Sequence, residues 1–156
     1  MTIVDRCVAV EDLGIDLDAD PFVPTRWRLK SHQKGGLWHF DPRQVALYCF
    51  ELFGGSSSIN GDLVYSGVQV LPVFNANLLR FYYDHNRYIP ESWKTAEQIV
   101  FAGTLYENYT ENNPDGGVLC WRTLFWCQAS TSWRWSWMWI SEKFTPKTPF
   151  VSRLLL

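Results

Sequence analysis

The chain has no apolar run of the roughly 18–20 residues that a membrane-crossing helix needs. It has no excess of basic charge either: 14 Lys and Arg stand against 16 Asp and Glu, for a net charge of −2. That excludes a protein whose affinity rests on neutralising many phosphates, so neither a membrane nor a nucleic acid is an expected partner. Histidine is scarce, at three residues, and the four cysteines form no Cys-x-x-Cys pair. Structural zinc sites usually show short paired spacings, so no metal is expected. Gly54-Gly55-Ser56-Ser57-Ser58 lacks the lysine that follows in a phosphate-binding loop, and no dinucleotide fingerprint occurs, so no cofactor is expected. The first 20 residues lack the charged-then-apolar order of a secretory signal, which leads us to expect a cytoplasmic protein. In that reducing setting Cys7, Cys49, Cys120 and Cys127 read as buried thiols without disulfides, and Asn108-Tyr109-Thr110 as a chance glycosylation sequon.

What the chain has in abundance is tryptophan. Nine are present, and six of them fall between Val118 and Phe144. Trp133, Trp135, Trp137 and Trp139 alternate with Arg134, Ser136 and Met138. Period-two alternation sorts a β-strand's side chains onto opposite faces, so these tryptophans form a ladder on one face. Strands are predicted at about 99–106, 118–127 and 133–141, with turn residues Asn112 to Gly117 and Gln128 to Ser132 between them. A helix is predicted at about 76–86, capped by Asn75 or Asn77, with Leu78, Leu79, Phe81, Tyr82 and Tyr83 on its apolar side. Together these predict an α+β fold, a C-terminal antiparallel meander packed by helices, in one domain spanning 1–156.

The first half is less regular. Ile3 to Val10 reads as a strand, and about 11–24 as an irregular acidic segment. Asp16, Asp18 and Asp20 do not make a calcium loop, because Pro21 and Trp27 occupy the positions of its glycine and its bidentate glutamate. Thr25 to Lys30 suits an edge strand. Asp41-Pro42 is a helix-start signal, and Val45, Tyr48, Cys49 and Leu52 fit helical spacing, which favours a helix over 43–53. The stretch 54–61 (GGSSSING) reads as a flexible loop, and the tail after Pro149 as a short terminal segment.

Several segments in order are similar to those of a known group. Phe40-Asp41-Pro42 with Val45 and Leu47, then Pro72 to Leu79 (PVFNANLL), Ile89 to Lys94 (IPESWK), Phe101 to Tyr106 (FAGTLY), Leu124-Phe125-Trp126 and the spaced tryptophans carry the likeness. The chain resembles an uncharacterised group of short hypothetical proteins from candidate-phylum (Patescibacteria-type) bacteria over roughly 38–144. It departs from that group at Glu107, where the group has arginine. The resemblance implies a compact intracellular domain and supplies no catalytic residues. It also implies a strand after the Phe-Asp-Pro segment, against the helical reading of 43–53.

No pair of side chains is singled out as catalytic. Asp84 and His85 are adjacent, which on a helix points them about 100° apart. The ladder is read as core, covered by the 76–86 helix, because a large exposed apolar patch is rare on a monomer. If the last two strands pair with matching parity, Arg122, Trp126 and Arg134 share the face opposite the ladder. Two arginines and an aromatic there could hold a carboxylate, a phosphate or a base. The expected function is a non-catalytic binding domain for a protein partner. The alternatives are a small hydrolase or nuclease-like toxin, whose histidines and carboxylates must converge, and a carbohydrate or single-strand binder using exposed tryptophans.

Overall fold

The computed structural model describes residues 13–49, 58–109 and 117–154. Its central feature is a six-stranded mixed sheet. Strand β6 (Ile99–Asn108), β7 (Val118–Cys127) and β8 (Ser132–Trp139) form the expected antiparallel meander. On the other edge of β6, β10 (Phe150–Arg153) pairs in parallel near Val100, and β2 (Trp27–His32) pairs antiparallel beyond it, along Thr104 to Asn108. Strand β4 (Val45–Tyr48) closes that side by pairing with β10. Two small ribbons flank the sheet: β1 (Gly14–Asp16) with β3 (Leu37–His39), and β5 (Ile59–Asn60) with β9 (Lys143–Phe144).

A helix lies on each face. α1 (Gly61–Val68) buries Val64 and Val68 with Val100, Leu105, Trp121, Met138, Phe144 and Phe150. α2 (Ala76–Asp84) buries Leu78, Leu79, Phe81 and Tyr82 with Ile99, Phe101, Leu124, Trp133 and Val151. A strand covered on both faces must be apolar on both, which is why β6 is buried continuously from Ile99 to Glu107 and its sequence does not alternate. Both helices start on an asparagine whose side chain accepts from the backbone two residues on: Asn60 from Asp62 N at 2.9 Å, and Asn75 from Asn77 N at 3.0 Å. Asn75, not Asn77, is thus the α2 cap.

β6 carries an irregularity that shapes the molecule. Phe101 pairs with Arg122, but the next pair is Leu105 with Trp121, so Ala102, Gly103 and Thr104 have no partner on β7. The bulged segment bends the strand toward the start of α2. Gly103 N donates to Phe74 O at 2.9 Å, and Gly103 O accepts from Gln33 N at 2.7 Å. A Cβ on residue 103 would stand 2.8 Å from the Asn75 backbone, so this close approach requires glycine.

Four expectations are corrected. The helix over 43–53 is absent where the chain is described: Asp41 caps a single 3-10 turn, Pro42–Gln44, and the backbone then extends into β4. Pairing with β10 satisfies the β4 backbone and outweighs a helical spacing that fitted period two equally well. The tail is not terminal in space, since β10 sits between β4 and β6. The loop at 54–61 has structure at its end, where β5 leads into α1; 54–57 lie outside the described residues. In the acidic segment 11–24, Gly14 to Asp16 are a strand, and Asp18 Oδ1 accepts from Gly35 N and Gly36 N, both at 2.9 Å. Residues 11 and 12 and the expected strand Ile3 to Val10 lie outside the described residues. No helix among the described residues is long and apolar enough to cross a membrane.

Candidate functional site

The β7–β8 register decides which side chains share a face. Cys120 opposes Trp139, Arg122 opposes Trp137, Leu124 opposes Trp135 and Trp126 opposes Trp133. Directly opposed residues project to the same side, so Arg122 and Trp126 lie on the ladder's own face. Arg134 opposes Phe125 on the other face, where it is exposed and its Nε donates to Ser130 Oγ at 3.4 Å. The expected trio therefore does not assemble. Trp126 stands edge-on to Trp133 at 5.6 Å, under the Lys94 ammonium at 3.9 Å from its ring centre, four residues along the strand from Arg122.

The ladder is not uniformly covered by α2. Trp133 is 8% exposed and belongs to the α2 core, but Trp135 is 37% exposed, and Trp137 and Trp139 are half-buried. The expectation that most of the ladder is buried is overturned. α2 spans only Ala76–Asp84, and β8 is the last strand of its sheet, so the far end of the ladder runs out from under the helix.

Arg122 sits at the point where cover is lost. It is 4% exposed, and its guanidinium carbon lies 4.5 Å from the centre of the Trp135 ring and 5.7 Å from that of Trp137. Trp137 in turn packs on Trp27 at 4.3 Å and edge-on to Tyr106 at 5.0 Å. The Tyr106 hydroxyl donates to Phe22 O at 3.1 Å and offers Arg122 its oxygen. No carboxylate among the described residues forms an ion pair with Arg122, and its buried Nε has no hydrogen-bond partner. Burial lowers its pKa from the usual guanidinium value, Tyr106 opposes that, and the Arg80 charge adds to it. Two neighbouring cations have acids of their own: Arg80 pairs with Asp84 and Lys94 with Glu91, both at 2.8 Å. Tyr106 and Trp27 were missed from sequence, because the β6 bulge sets which β6 residues stand opposite β7, and β2 pairs with β6 beyond that bulge.

A second polar cluster surrounds that bulge. Thr104 Oγ1 accepts from Ala76 N at 2.9 Å and meets His32 Nδ1 at 2.8 Å. His32 Nε2 lies 3.1 Å from Leu17 O. Buried Asn75 donates from Nδ2 to Leu17 O at 2.8 Å and to Gln33 O at 2.9 Å. A cavity of about 120 Å³ adjoins this cluster, walled by Leu17, Gln33, Phe74 and Asn75 among others. His32 makes no hydrogen bond to a carboxylate, so the cluster binds loops to the sheet and does not form an acid–base pair. Burial depresses the His32 pKa below its ordinary 6.5. The unfolded chain then takes up this proton at a higher pH than the folded one does. The stabilisation is complete above pH 6.5 and is lost as pH falls from there through the folded value. Urea midpoints measured from pH 8 downward should fall below about 6.5, and His32→Gln should flatten that slope.

Among the described residues no three His, Cys, Asp or Glu side chains gather as metal ligands. His85 closes α2, its Nδ1 3.1 Å from Phe81 O and its ring stacked on Phe81. Of the cysteines expected to be buried, Cys120 is, Cys127 is half-buried and Cys49 is exposed; Cys7 lies outside the described residues. Cys120 and Cys127 face opposite sides, as their spacing implied. Glu107 is nearly buried and lies 3.6 Å from Lys30 Nζ. Comparison with protein-family models, curated proteins and solved structures returns no match.

Proposed function

We propose that this chain is a non-catalytic binding domain that holds a protein partner on the uncovered end of the tryptophan ladder, at Trp135 and Trp137. The observation that carries this reading is the exposure of Trp135, 37%, on the last strand of a sheet whose other large aromatics are mostly covered. Exposed tryptophan beside buried arginine is the composition of interface hot spots. The ring geometry speaks against the carbohydrate or single-strand alternative. Trp135 and Trp137 stand at 88° to each other, 5.8 Å apart, so they offer no flat run for successive sugars or bases. The hydrolase alternative gains no support from His32 or His85, whose ring nitrogens meet a threonine hydroxyl and backbone carbonyls.

A panel of immobilised peptides of acidic, basic and neutral composition, with oligo-dT and oligosaccharides alongside, tests the reading. Peptides of one composition should bind the parent and fail to bind Trp135→Ala and Trp137→Ala. Binding of oligo-dT or a sugar alone, or peptide binding that both variants retain, would reject it.

A further inference from the structure

The same face holds a charge that no carboxylate among the described residues balances. Removing a guanidinium from water is costly unless a counter-charge and hydrogen bonds replace the lost hydration. Arg122 has lost nearly all its contact with water, yet has no carboxylate among the described residues and leaves Nε–H unused. The stacking of Trp135 and Trp137 compensates in part, since a cation is attracted to an indole face. Stacking leaves the in-plane N–H donors of the guanidinium unobstructed by the indoles; Tyr106 lies against one side of the group, and Nε has no partner.

The geometry points to Arg122 as the receptor for a single carboxylate of an acidic peptide partner, with Trp135 as its movable cover. This rests on the reading of the ladder end as the recognition surface. The choice of carboxylate follows from charge. One unbalanced cation matches one negative charge, whereas a phosphate dianion calls for two or more, and Arg80 and Lys94 already have their own acids. It also follows from shape, because a planar carboxylate takes two parallel hydrogen bonds from the Nε and Nη edge of a guanidinium. Nε is closed off from solvent, and Trp135 lies over the face of the same group. Trp135 is on the outermost strand and more than a third exposed, so rotation of this one side chain uncovers the guanidinium without disturbing the core. The incoming acid replaces water on neither partner's terms alone: the indoles exclude solvent from the pair and strengthen it.

The test uses benzoate, its neutral isostere benzamide and inorganic phosphate as probes. The readout is the 1H–15N signals of the Arg122 side chain and the tryptophan indoles. Arg122→Met and Trp135→Ala identify the signals. Benzoate should shift Arg122 Nε–H and the Trp135 indole together, and bind about ten- to a hundredfold more tightly than benzamide, the worth of a charge-assisted pair. Arg122→Met should lose that preference while unfolding at an equal or higher denaturant concentration, because it removes an uncompensated buried charge and keeps an apolar stem. Arg122→Lys should fold and retain only part of the preference, having lost the two-pronged geometry. Tighter binding of phosphate than of benzoate overturns the carboxylate assignment. A clear drop in the stability of Arg122→Met makes the guanidinium a structural group and overturns the proposal. Equal indole shifts with benzoate and benzamide also overturn it, and that outcome leaves the recognition face itself standing.

Discussion

Asn75→Ala should lower the unfolding free energy by about 2–4 kcal/mol. The α2 cap contributes about 1 kcal/mol, and each carbonyl left without its donor costs about 1–3 kcal/mol. Leu17 O keeps His32 as a partner, but Gln33 O loses the Asn75 amide, its side-chain donor. Asn75 itself is buried, so its amide and not solvent fills this position in the folded chain. Asn75→Ser provides an internal check. Its hydroxyl can restore the cap to Asn77 N but cannot reach both loop carbonyls, so it should recover about 1 kcal/mol and no more. Chemical denaturation of the two variants beside the parent measures both. Equal midpoints for all three would mean that the loops carrying Leu17 and Gln33 are not held through Asn75.

The second large effect separates the two ends of the ladder. Trp133→Ala should cost about 3–5 kcal/mol, the range for deleting a large aromatic from a packed core. Trp133 meets Trp126 edge-on and shares a core with Leu78 and Tyr82 from α2, so its removal opens a void between sheet and helix. Trp135→Ala should cost under about 1 kcal/mol, as at other surface positions. The two residues are neighbours on one face of one strand, so strand propensity and aromatic content cancel in the comparison. Similar losses in both would mean that Trp135 belongs to the core, and would remove the ground for reading the ladder's end as a recognition surface.

The meander could be read from sequence because each of its strands is ten residues or fewer of apolar or alternating residues between dense turn signals. α2 could be read because its asparagine cap and its apolar face agree. Three features could not. Register between β7 and β8 depends on where the turn at Gln128 to Thr131 places its residues, and a shift of one transfers every side chain to the other face. That single step is why Arg122 and Trp126 fall beside the tryptophans while Arg134 does not. The Val45 to Cys49 segment satisfied both helical and strand spacing, and only the distant β10 decides between them. β10 itself has four residues, too few to carry a periodicity. Of the site, Arg122 was singled out from its residue type. Its buried, unbalanced state was not visible, because that depends on what other segments fail to bring near it.

The position of β10 has a consequence for how the molecule is made. Tyr48 must wait for Phe150, its partner across the β4–β10 ladder, to be synthesised. At about 5–20 residues per second that interval is on the order of 5–20 seconds. A ribosome then still shelters the last stretch in its exit tunnel, so β4 emerges with no neighbour and the β6 edge near Val100 stays open. The meander can form as soon as β8 is out, but the sheet closes only when the strand made last slides into its middle. Until then two strand edges stand open to other chains, and a pause in translation after Trp139 prolongs that exposure.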